Sequence, residues 1–431
     1  MLLGGVIVLT GAPRGTKDIL PASIMAWRYV EQVMREVCAI FDYHEIRTPM
    51  FEHTELFHRG IGDTTDVVEK EMYTFTDRGA RSLTLRPENT ASVVRAFVEN
   101  KMYGDVAPTK LYYIGPMFRY DRPQAGRMRQ FHQFGIEALG ASSPIIDAEV
   151  IMLALQVLKK LGLTDLKLKI NSVGCGNCRP VHRKLLQDFF RPNLQKLCRD
   201  CQNRFERNPL RILDCKVPEC KQIAVGAPKI TDCLCDECSE HFAKVQELLN
   251  AAGVEYEIDS NLVRGLDYYT KTAFEIQYSP LGAQSAVCGG GRYDGLVEEL
   301  GGPSTPGIGF AMGMERVLLA LTKQNLLPEA AENIDIFVVV PDTDNLPLAF
   351  KTLNVLRACG LPCDMDFLGR SMKAQMKQAN RLKAHKVIIF GEEEVARGVV
   401  VLRDMDTSEQ NEVQIEDLSI ILNKTEVQKH E

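Results

Sequence analysis

The sequence predicts an α+β protein in three parts, and three observations carry that prediction. Two β-rich runs, "LYYIGPMFRYD" and "QFHQFGIEALG", flank the basic, Gly/Pro-marked "RPQAGRMR" and read as a long antiparallel hairpin. Nine of the thirteen cysteines fall within residues 175–238, which marks that stretch as a separate unit. From Ile334 onward, "IDIFVVV", a helical pattern over 344–359, "KVIIF" and "GVVVLRD" alternate strand and helix, as a small α/β domain does. The expected architecture is an antiparallel sheet with flanking helices over 1–325, interrupted by a cysteine-rich insertion at 165–258. A linker at 326–332 and a C-terminal α/β domain at 333–431 complete it.

A chain of 431 residues is too long for one typical core. With 45% hydrophobic and 25% charged residues, it falls in the ordinary range of folded proteins. The net charge of -6 excludes a chain that coats nucleic acid indiscriminately and leaves only local basic patches. No window approaches the roughly 18 apolar residues that a membrane helix requires, so no membrane partner is expected. The opening "MLLGGVIVLT" lacks the basic start of a signal peptide, which makes the cytoplasm the expected compartment.

In chain order, Trp27, Val30, Met34, Val37, Cys38 and Phe41 recur at helical spacing and predict an amphipathic helix at 22–42. "HEIRTPMFEHTELF" is strand-like, and Pro49 directs it to an edge or an interface. In "QFHQFGIEA" a period of two places Phe131, Gln133, Gly135 and Glu137 on one face, with His132, Phe134, Ile136 and Ala138 on the other. The first face carries an amide and a carboxylate around a glycine that leaves space for a small ligand. The same residues also fit an exposed sheet face in water. On the partner strand Gly115, Met117 and Arg119 share a face, and 147–161 reads as an apolar helix. "GIGFAMGMERVLLAL" reads as a short strand and then a helix, with glycines ahead of the helix start, where phosphate binds.

Arg119, Arg122, Arg127 and Arg129 form a basic cluster suited to polyphosphate, since guanidinium groups bind phosphate oxygens in pairs. A solvated loop has the same composition. Arg316 sits in the first turn of its helix, where the macrodipole disfavours a cation, so something other than helix stability puts it there. "LVRGLDYYTKTAFEI" crowds Arg264, Asp267, Tyr268 and Tyr269 at the mouth of a strand. Taken alone, that stretch also fits a turn followed by ordinary sheet packing.

Together these segments resemble the histidyl-tRNA synthetases. "FRYDRPQAGRMRQFHQ" looks like motif 2 of the class II aminoacyl-tRNA synthetases, "GIGFAMGMERVLL" like motif 3, and "HEIRTPMFEHTELF" like the looser motif 1. "RGLDYYTKTAFE" and "GGGRYDGL" resemble the two signatures particular to the histidine enzymes, while "APRGTKDILP" and "TLRPENTA" match their N-terminal pieces. The resemblance runs from about residue 12 to about residue 425. It implies the class II synthetase fold, a homodimer, and a C-terminal anticodon-binding domain. ATP with Mg2+, L-histidine and tRNA-His are the implied substrates and partners, with histidyl adenylate as the intermediate.

The resemblance also implies residue roles. Arg119 would hold the ATP α-phosphate and the substrate carboxylate, with Arg264 facing that phosphate from the other side. Arg127 and Arg316 would take the β- and γ-phosphates, Arg316 stacking over the adenine. For histidine, Glu137 would accept from one ring nitrogen while the Tyr269 hydroxyl donates to the other. Glu88, Thr90 and Gln133 would hold the α-ammonium group, and Tyr268 and Tyr293 would wall the pocket. Asn89 stands where the family often has glycine, in the histidine-binding segment, and Asp121 where it often has an ATP-contacting glutamate.

The cysteines depart from the family, whose insertion domain does not generally need metal. Cys175-x2-Cys178, Cys198-x2-Cys201 and Cys235-x2-Cys238, with Cys215-x4-Cys220, have the spacings of tetrahedral thiolate sites. Chain order predicts one structural Zn2+ on Cys175, Cys178, Cys198 and Cys201, and a second on Cys215, Cys220, Cys235 and Cys238. Buried free thiols and redox pairs are the competing readings. In "GRSMKAQMKQANRLKAHK", Ser371 is placed to cap a helix with an apolar stripe of Met372, Met376, Ala379 and Leu382. A basic stripe of Lys373, Lys377 and Arg381 fits either a solvated face or an approach to the anticodon stem. Two rival functions remain: an inactive synthetase paralogue regulating histidine biosynthesis, and a zinc-stabilised nucleic-acid binding protein without catalysis. The first usually degrades the arginines and lacks the C-terminal domain, and the second leaves Arg119, Arg264 and Arg316 unexplained.

Overall fold

The computed structural model describes residues 11–62, 65–215, 217–328 and 334–427, and it divides into two compact units, Met1–Pro328 and Glu329–Glu431. The expectation for "MLLGGVIVLT" lies outside the described residues.

In the first unit the strands are β1 (His44–Glu45), β2 (Phe51–His53), β3 (Tyr73–Thr76), β4 (Ser82–Leu85), β5 (Thr109–Phe118), β6 (Gln130–Leu139), β7 (Leu166–Ser172), β8 (Glu257–Ile258), β9 (Thr270–Tyr278), β10 (Ala286–Arg292) and β11 (Gly307–Gly313). β5 and β6 pair from Thr109↔Leu139 to Phe118↔Gln130, which is the long antiparallel hairpin expected. The large sheet runs β1-β5-β6-β11-β10-β9-β7-β8. It is antiparallel except for the edge pairs β1/β5 and β7/β8. β2, β4 and β3 make a second, three-stranded antiparallel sheet. "HEIRTPMFEHTELF" is therefore not one strand. It supplies β1 and β2, each at a sheet edge, and the start of the helix Thr54–Ile61. Pro49, which has no N–H to donate, falls between the two strands.

The two faces of the large sheet have opposite characters. Phe134, Ile136 and Ala138 of β6, Phe274 and Ile276 of β9, and Ile308, Phe310 and Met312 of β11 bury one face. Helices Pro21–Ile40, Pro144–Lys160 and Met314–Lys323 cover it with Val30, Met34 and Val37, then Val150, Ile151 and Ala154, then Val317 and Leu321. The opposite face carries the polar residues described below.

Two expected boundaries move. β7, at the start of the expected insertion, is a member of the large sheet paired to β9. The helix Asp236–Ala251 near its end sends Phe242, Val245 and Leu249 into the main core. The insertion's own core is narrower, from Leu186 to Cys220, and includes Phe190, Phe205 and Ile212. Cysteine density places the expected boundary at 165, whereas the alternation of Leu166, Leu168 and Ile170 marks β7 as part of the sheet. At the expected linker, Leu326 and Leu327 pack against the main core, and 329–332 lies outside the described residues.

The second unit has strands β12 (Ile336–Val339), β13 (Cys363–Met365), β14 (Lys386–Ile389), β15 (Val399–Asp404) and β16 (Gln410–Gln414) in the order β13-β12-β14-β15-β16. The first three are parallel, as strand–helix alternation dictates, and the last two add antiparallel edges. On the helix Met372–Arg381, Ala379 is buried and Met376 and Leu382 pack beside it, but Met372 is 44% exposed, so the apolar stripe reaches the core only from Met376 onward. Ser371 occupies the N-cap position without a capping hydrogen bond from its side chain. Lys373, Lys377 and Arg381 are exposed.

Candidate functional site

The floor of the site is built from missing side chains. A Cβ on Gly309 of β11 would meet the Glu137 carboxylate, one on Gly307 the Tyr293 ring, one on Gly291 of β10 the Tyr269 ring, and one on Gly289 the Arg264 guanidinium. Cross-strand register sets Gly309 against Glu137 of β6 and Gly291 of β10, and Gly289 against Glu275 of β9, on the sheet face opposite the helix-covered core. The glycine-rich "CGGGRYDGL" and "GIGFAMG" thus let larger polar groups lie flat on the sheet. Gly135 differs from its expected role: the space beside it is filled by the ring of Tyr113, so it seats a protein side chain.

Glu137 is fully enclosed, and its oxygens already have protein donors. Thr90 Oγ1 donates at 2.7 Å to Oε1, and the Tyr293 hydroxyl donates at 2.5 Å to Oε2. Burial pushes its carboxyl up to about 8, against the opposing pull of the Tyr293 and Thr90 hydrogen bonds. Tyr293 is therefore both wall and hydrogen-bond donor. Tyr268 and Tyr269 lie with ring centroids 4.6 Å apart, and Tyr268 meets Tyr293 edge-on at 5.7 Å. Burial raises all three phenols, so they remain hydroxyl donors near neutral pH.

Glu88 heads the helix Thr90–Glu99 and accepts from the backbone N–H groups of Thr90 at 2.7 Å and Ala91 at 2.9 Å, where the helix dipole favours an anion. Burial still raises its carboxyl overall. Asn89 is enclosed, its carbonyl oxygen taking hydrogen bonds from Thr48 and Arg86, so its side chain braces the segment. Gln133 Oε1 and Arg264 Nε are buried without a protein partner. Such atoms cost about 1–3 kcal/mol each, which a ligand bonding to them would recover.

Four arginines from three chain segments border this face, Arg119 and Arg127 in the β5–β6 connection, Arg264 before β9 and Arg316 in the helix Met314–Lys323. Arg119 donates from Nε to the Pro87 carbonyl at 2.8 Å and lies over the Phe131 ring. Arg127 pairs with Asp121 and Glu71. Arg316 reaches Gly126 O, Ala286 O and Gln284 Oε1. Burial, then the nearby charges of Arg127 and Arg119, holds the Arg316 guanidinium below its ordinary range, the signature of like charges collected in one place. Arg264 donates at 3.0 Å to Glu275, the acid that also faces Arg316. A region with this much converging positive charge is made to receive a polyanion.

A family model described as Histidyl-tRNA synthetase matches residues 15–197 and 214–317, and one described as Anticodon binding domain matches 335–425. The chain belongs to the histidyl-tRNA synthetase family. It is 56% identical over 415 residues to the histidine--tRNA ligase of Desulforamulus reducens, covering 96% of this chain and 99% of that one. It is 58% identical over 406 residues to that of Moorella thermoacetica, covering 94% and 96%. The solved apo histidyl-tRNA synthetase of S. aureus superposes with a TM-score of 0.82 at 43% identity, over 96% of this chain and 100% of that one. An ATP phosphoribosyltransferase regulatory subunit/histidyl-tRNA synthetase from Bacillus halodurans C, at 21% identity and a TM-score of 0.63, covers 88% and 98% and shares the fold.

On this face, several residues lie beyond those the sequence singled out. Glu275 was legible, since the alternation of "AFEIQY" sets it opposite Phe274 and Ile276, on the face of Arg264. Tyr113 was legible by the same rule, two residues before Gly115 on the face of Met117 and Arg119, whereas Glu71, at the end of the short helix Val67–Glu71, carried no such signal. Arg292 of "GGGRYDGL" turns away from the site. Fully buried, it pairs with Asp147, which also accepts from Thr272 at 2.7 Å and hydrogen-bonds His241 at 2.6 Å.

The cysteines group differently from chain order. Cys175, Cys178, Cys235 and Cys238 form one cluster, and Cys198, Cys201, Cys215 and Cys220 the other. The expected quartets Cys175/Cys178/Cys198/Cys201 and Cys215/Cys220/Cys235/Cys238 do not form. The helix Cys178–Phe190 carries the chain away from the first pair, and the returning 235–238 segment closes back on it.

Proposed function

We infer that this protein attaches L-histidine to its tRNA in two steps, through histidyl adenylate. The observation that carries this reading is one glycine-floored sheet face on which an enclosed carboxylate under a tyrosine wall adjoins four inward-gathered arginines. Glu137 accepts a hydrogen bond from one imidazole nitrogen and Tyr269 donates to the other, while Tyr268 and Tyr293 close the pocket. Glu88, Thr90 and the orphaned Gln133 oxygen receive the α-ammonium group, and Asn89 holds that segment in place. A pocket of paired polar groups rejects side chains that leave them unpaired by about 10⁴-fold or more.

ATP enters with Mg2+ as part of the substrate. Arg119 and Arg264 meet the α-phosphate, and Arg127 with Arg316 the β- and γ-phosphates, while Asp121 holds Arg127 for that task. The histidine carboxylate attacks the α-phosphorus as the bond to pyrophosphate breaks, and the fixed guanidinium groups meet the charge that develops. No nucleophilic side chain is needed. The terminal adenosine hydroxyl of the tRNA then takes the histidyl group and releases AMP.

The protein acts as a cytoplasmic homodimer, and the motif 1 segment is where its copies meet. Met50 and Phe51 there are about half exposed, and Phe51 stacks edge-on with the exposed Phe75. Lys373, Lys377 and Arg381 approach the tRNA backbone. The regulatory reading is disfavoured because Arg119, Arg264 and Arg316 are all kept and the C-terminal unit is present. Pyrophosphate exchange run with each of the twenty amino acids tests the assignment. Exchange with histidine alone is expected, and no exchange at all refutes it.

A further inference from the structure

Outside the catalytic face, the densest collection of reactive side chains is the eight cysteines of the two clusters, whose ligand atoms lie within 4.8 Å of one another in each group. Neighbouring sulfurs are 3.6 Å apart at Cys175/Cys178, 3.8 Å at Cys175/Cys235 and 3.9 Å at Cys198/Cys215. A tetrahedron with Zn–S bonds of about 2.3 Å has edges of about 3.8 Å, so these spacings suit four thiolates around one ion. They are far longer than the roughly 2.05 Å of a disulfide. Backbone N–H groups also point at the sulfurs, Cys235 N to Cys178 Sγ and Cys198 N to Cys220 Sγ, each at 3.2 Å. Such donors stabilise metal-bound thiolates. The ninth cysteine of the segment, Cys233, belongs to neither cluster and contacts the Lys229 carbonyl.

We propose that the chain binds two Zn2+ ions in separate tetrathiolate sites, Cys175/Cys178/Cys235/Cys238 fastening the insertion to the catalytic sheet and Cys198/Cys201/Cys215/Cys220 forming the insertion's core. Each Zn2+ replaces four thiol protons, which pass to solvent, and leaves a site of net charge -2 with no change in oxidation state. A cation stands near each: Arg179 by the first and Arg204 by the second.

The first site sits where the inserted chain leaves β7 and returns through the helix Asp236–Ala251. Its neighbours reach the segment before β9, where Arg179 Nη1 donates to the Asp267 carbonyl at 3.5 Å. Arg179, next to Cys178, bonds the Val173 carbonyl at 3.3 Å, and Glu237, between Cys235 and Cys238, bonds Lys271 at 2.7 Å. The second site closes a loop whose Asn208 donates to Asp267 at 2.9 Å and whose Arg211 donates to the Arg264 carbonyl at 2.9 Å. Both sites therefore brace the segment that carries Arg264.

Metal analysis of full-length protein purified without added zinc is the test, and it is independent of the aminoacylation reading. Two zinc ions per chain are expected, with X-ray absorption giving a sulfur-only shell at about 2.3 Å. C178S/C238S and C201S/C220S should each retain one ion, and C233S both. Should either double variant fail to fold, cobalt reconstitution of the unaltered protein decides, through the thiolate-to-cobalt charge-transfer band of two four-sulfur sites. Fewer than about 0.3 zinc per chain, a shell containing nitrogen or oxygen, or loss of both ions from one soluble double variant would overturn the proposal.

Discussion

Adding a single methyl group at Gly289 isolates the contribution of Arg264. The Cβ of Gly289→Ala would stand 2.0 Å from Arg264 Nη2 and 2.5 Å from Cζ, whereas ordinary contacts begin near 3.4 Å. The guanidinium must retreat by about 1.4 Å, which breaks its 3.0 Å hydrogen bond to Glu275. The obstacle meets the end of a flexible side chain, and Gly289 is absent from the positive-φ positions, so the fold is expected to stay intact. A displacement of that size at a charge-stabilising group costs about 10²-fold in rate. Histidine-dependent pyrophosphate exchange should therefore show kcat reduced about 100-fold, KM for histidine changed by less than about threefold, and Tm lowered by no more than about 3 °C. Placed on an Arg264→Ala background, the same substitution should add almost nothing, because its target is gone. A kcat within about threefold of the parent, with Tm unchanged, would refute the assignment of Arg264 to the reacting phosphate.

Three further outcomes are expected. Glu137 has a raised carboxyl pKa in the folded state, so its favourable contribution is complete below about pH 4.5 and disappears as pH rises through about 8. Thermal melts of Glu137→Gln and parent should accordingly show the variant gaining relative Tm between pH 5 and pH 8.5; a pH-independent difference would contradict this. Removing one partner of the fully buried Arg292–Asp147 pair, as in Arg292→Met, leaves the Asp147 carboxylate with only His241 and Thr272 as partners and should cost about 3–5 kcal/mol in urea unfolding, and a loss below about 1 kcal/mol would show the pair is dispensable. Neutralising Lys373 and Lys377 together should slow charging and flatten the log–log salt dependence of tRNA binding by about 1 to 2 in slope, while unchanged affinity and slope would place them away from the tRNA.

Much of this was legible because strands write their faces in alternate residues. Gln133 and Glu137 separate from Phe134 and Ile136 by parity alone, and the same rule assigns Glu275 to the polar face of the large sheet. Arg316 was marked by its conflict with the helix dipole, and the structure shows what outweighs that conflict: two backbone carbonyls and the Gln284 side chain. What parity cannot encode is which distant segments meet. The spacing of each cysteine pair is local information, but the partnership of Cys178 with Cys238 across 60 residues depends on where the intervening helices turn. Gly135 failed for a related reason, since a strand glycine announces a close approach without naming the neighbour, here Tyr113.

The bare floor also sets limits on redesign. An engineer wishing to admit a bulkier amino acid usually trims a large residue to a small one, yet beneath Glu137, Tyr269 and Tyr293 the sheet already consists of Gly309, Gly291 and Gly307. Extra room can come only from the tyrosines overhead or from Tyr113, and each of those shares a hydrogen bond or a ring contact with another pocket residue. Under the pocket assignment proposed above, a broadened substrate range is thus bound to a loss of the groups that would do the choosing.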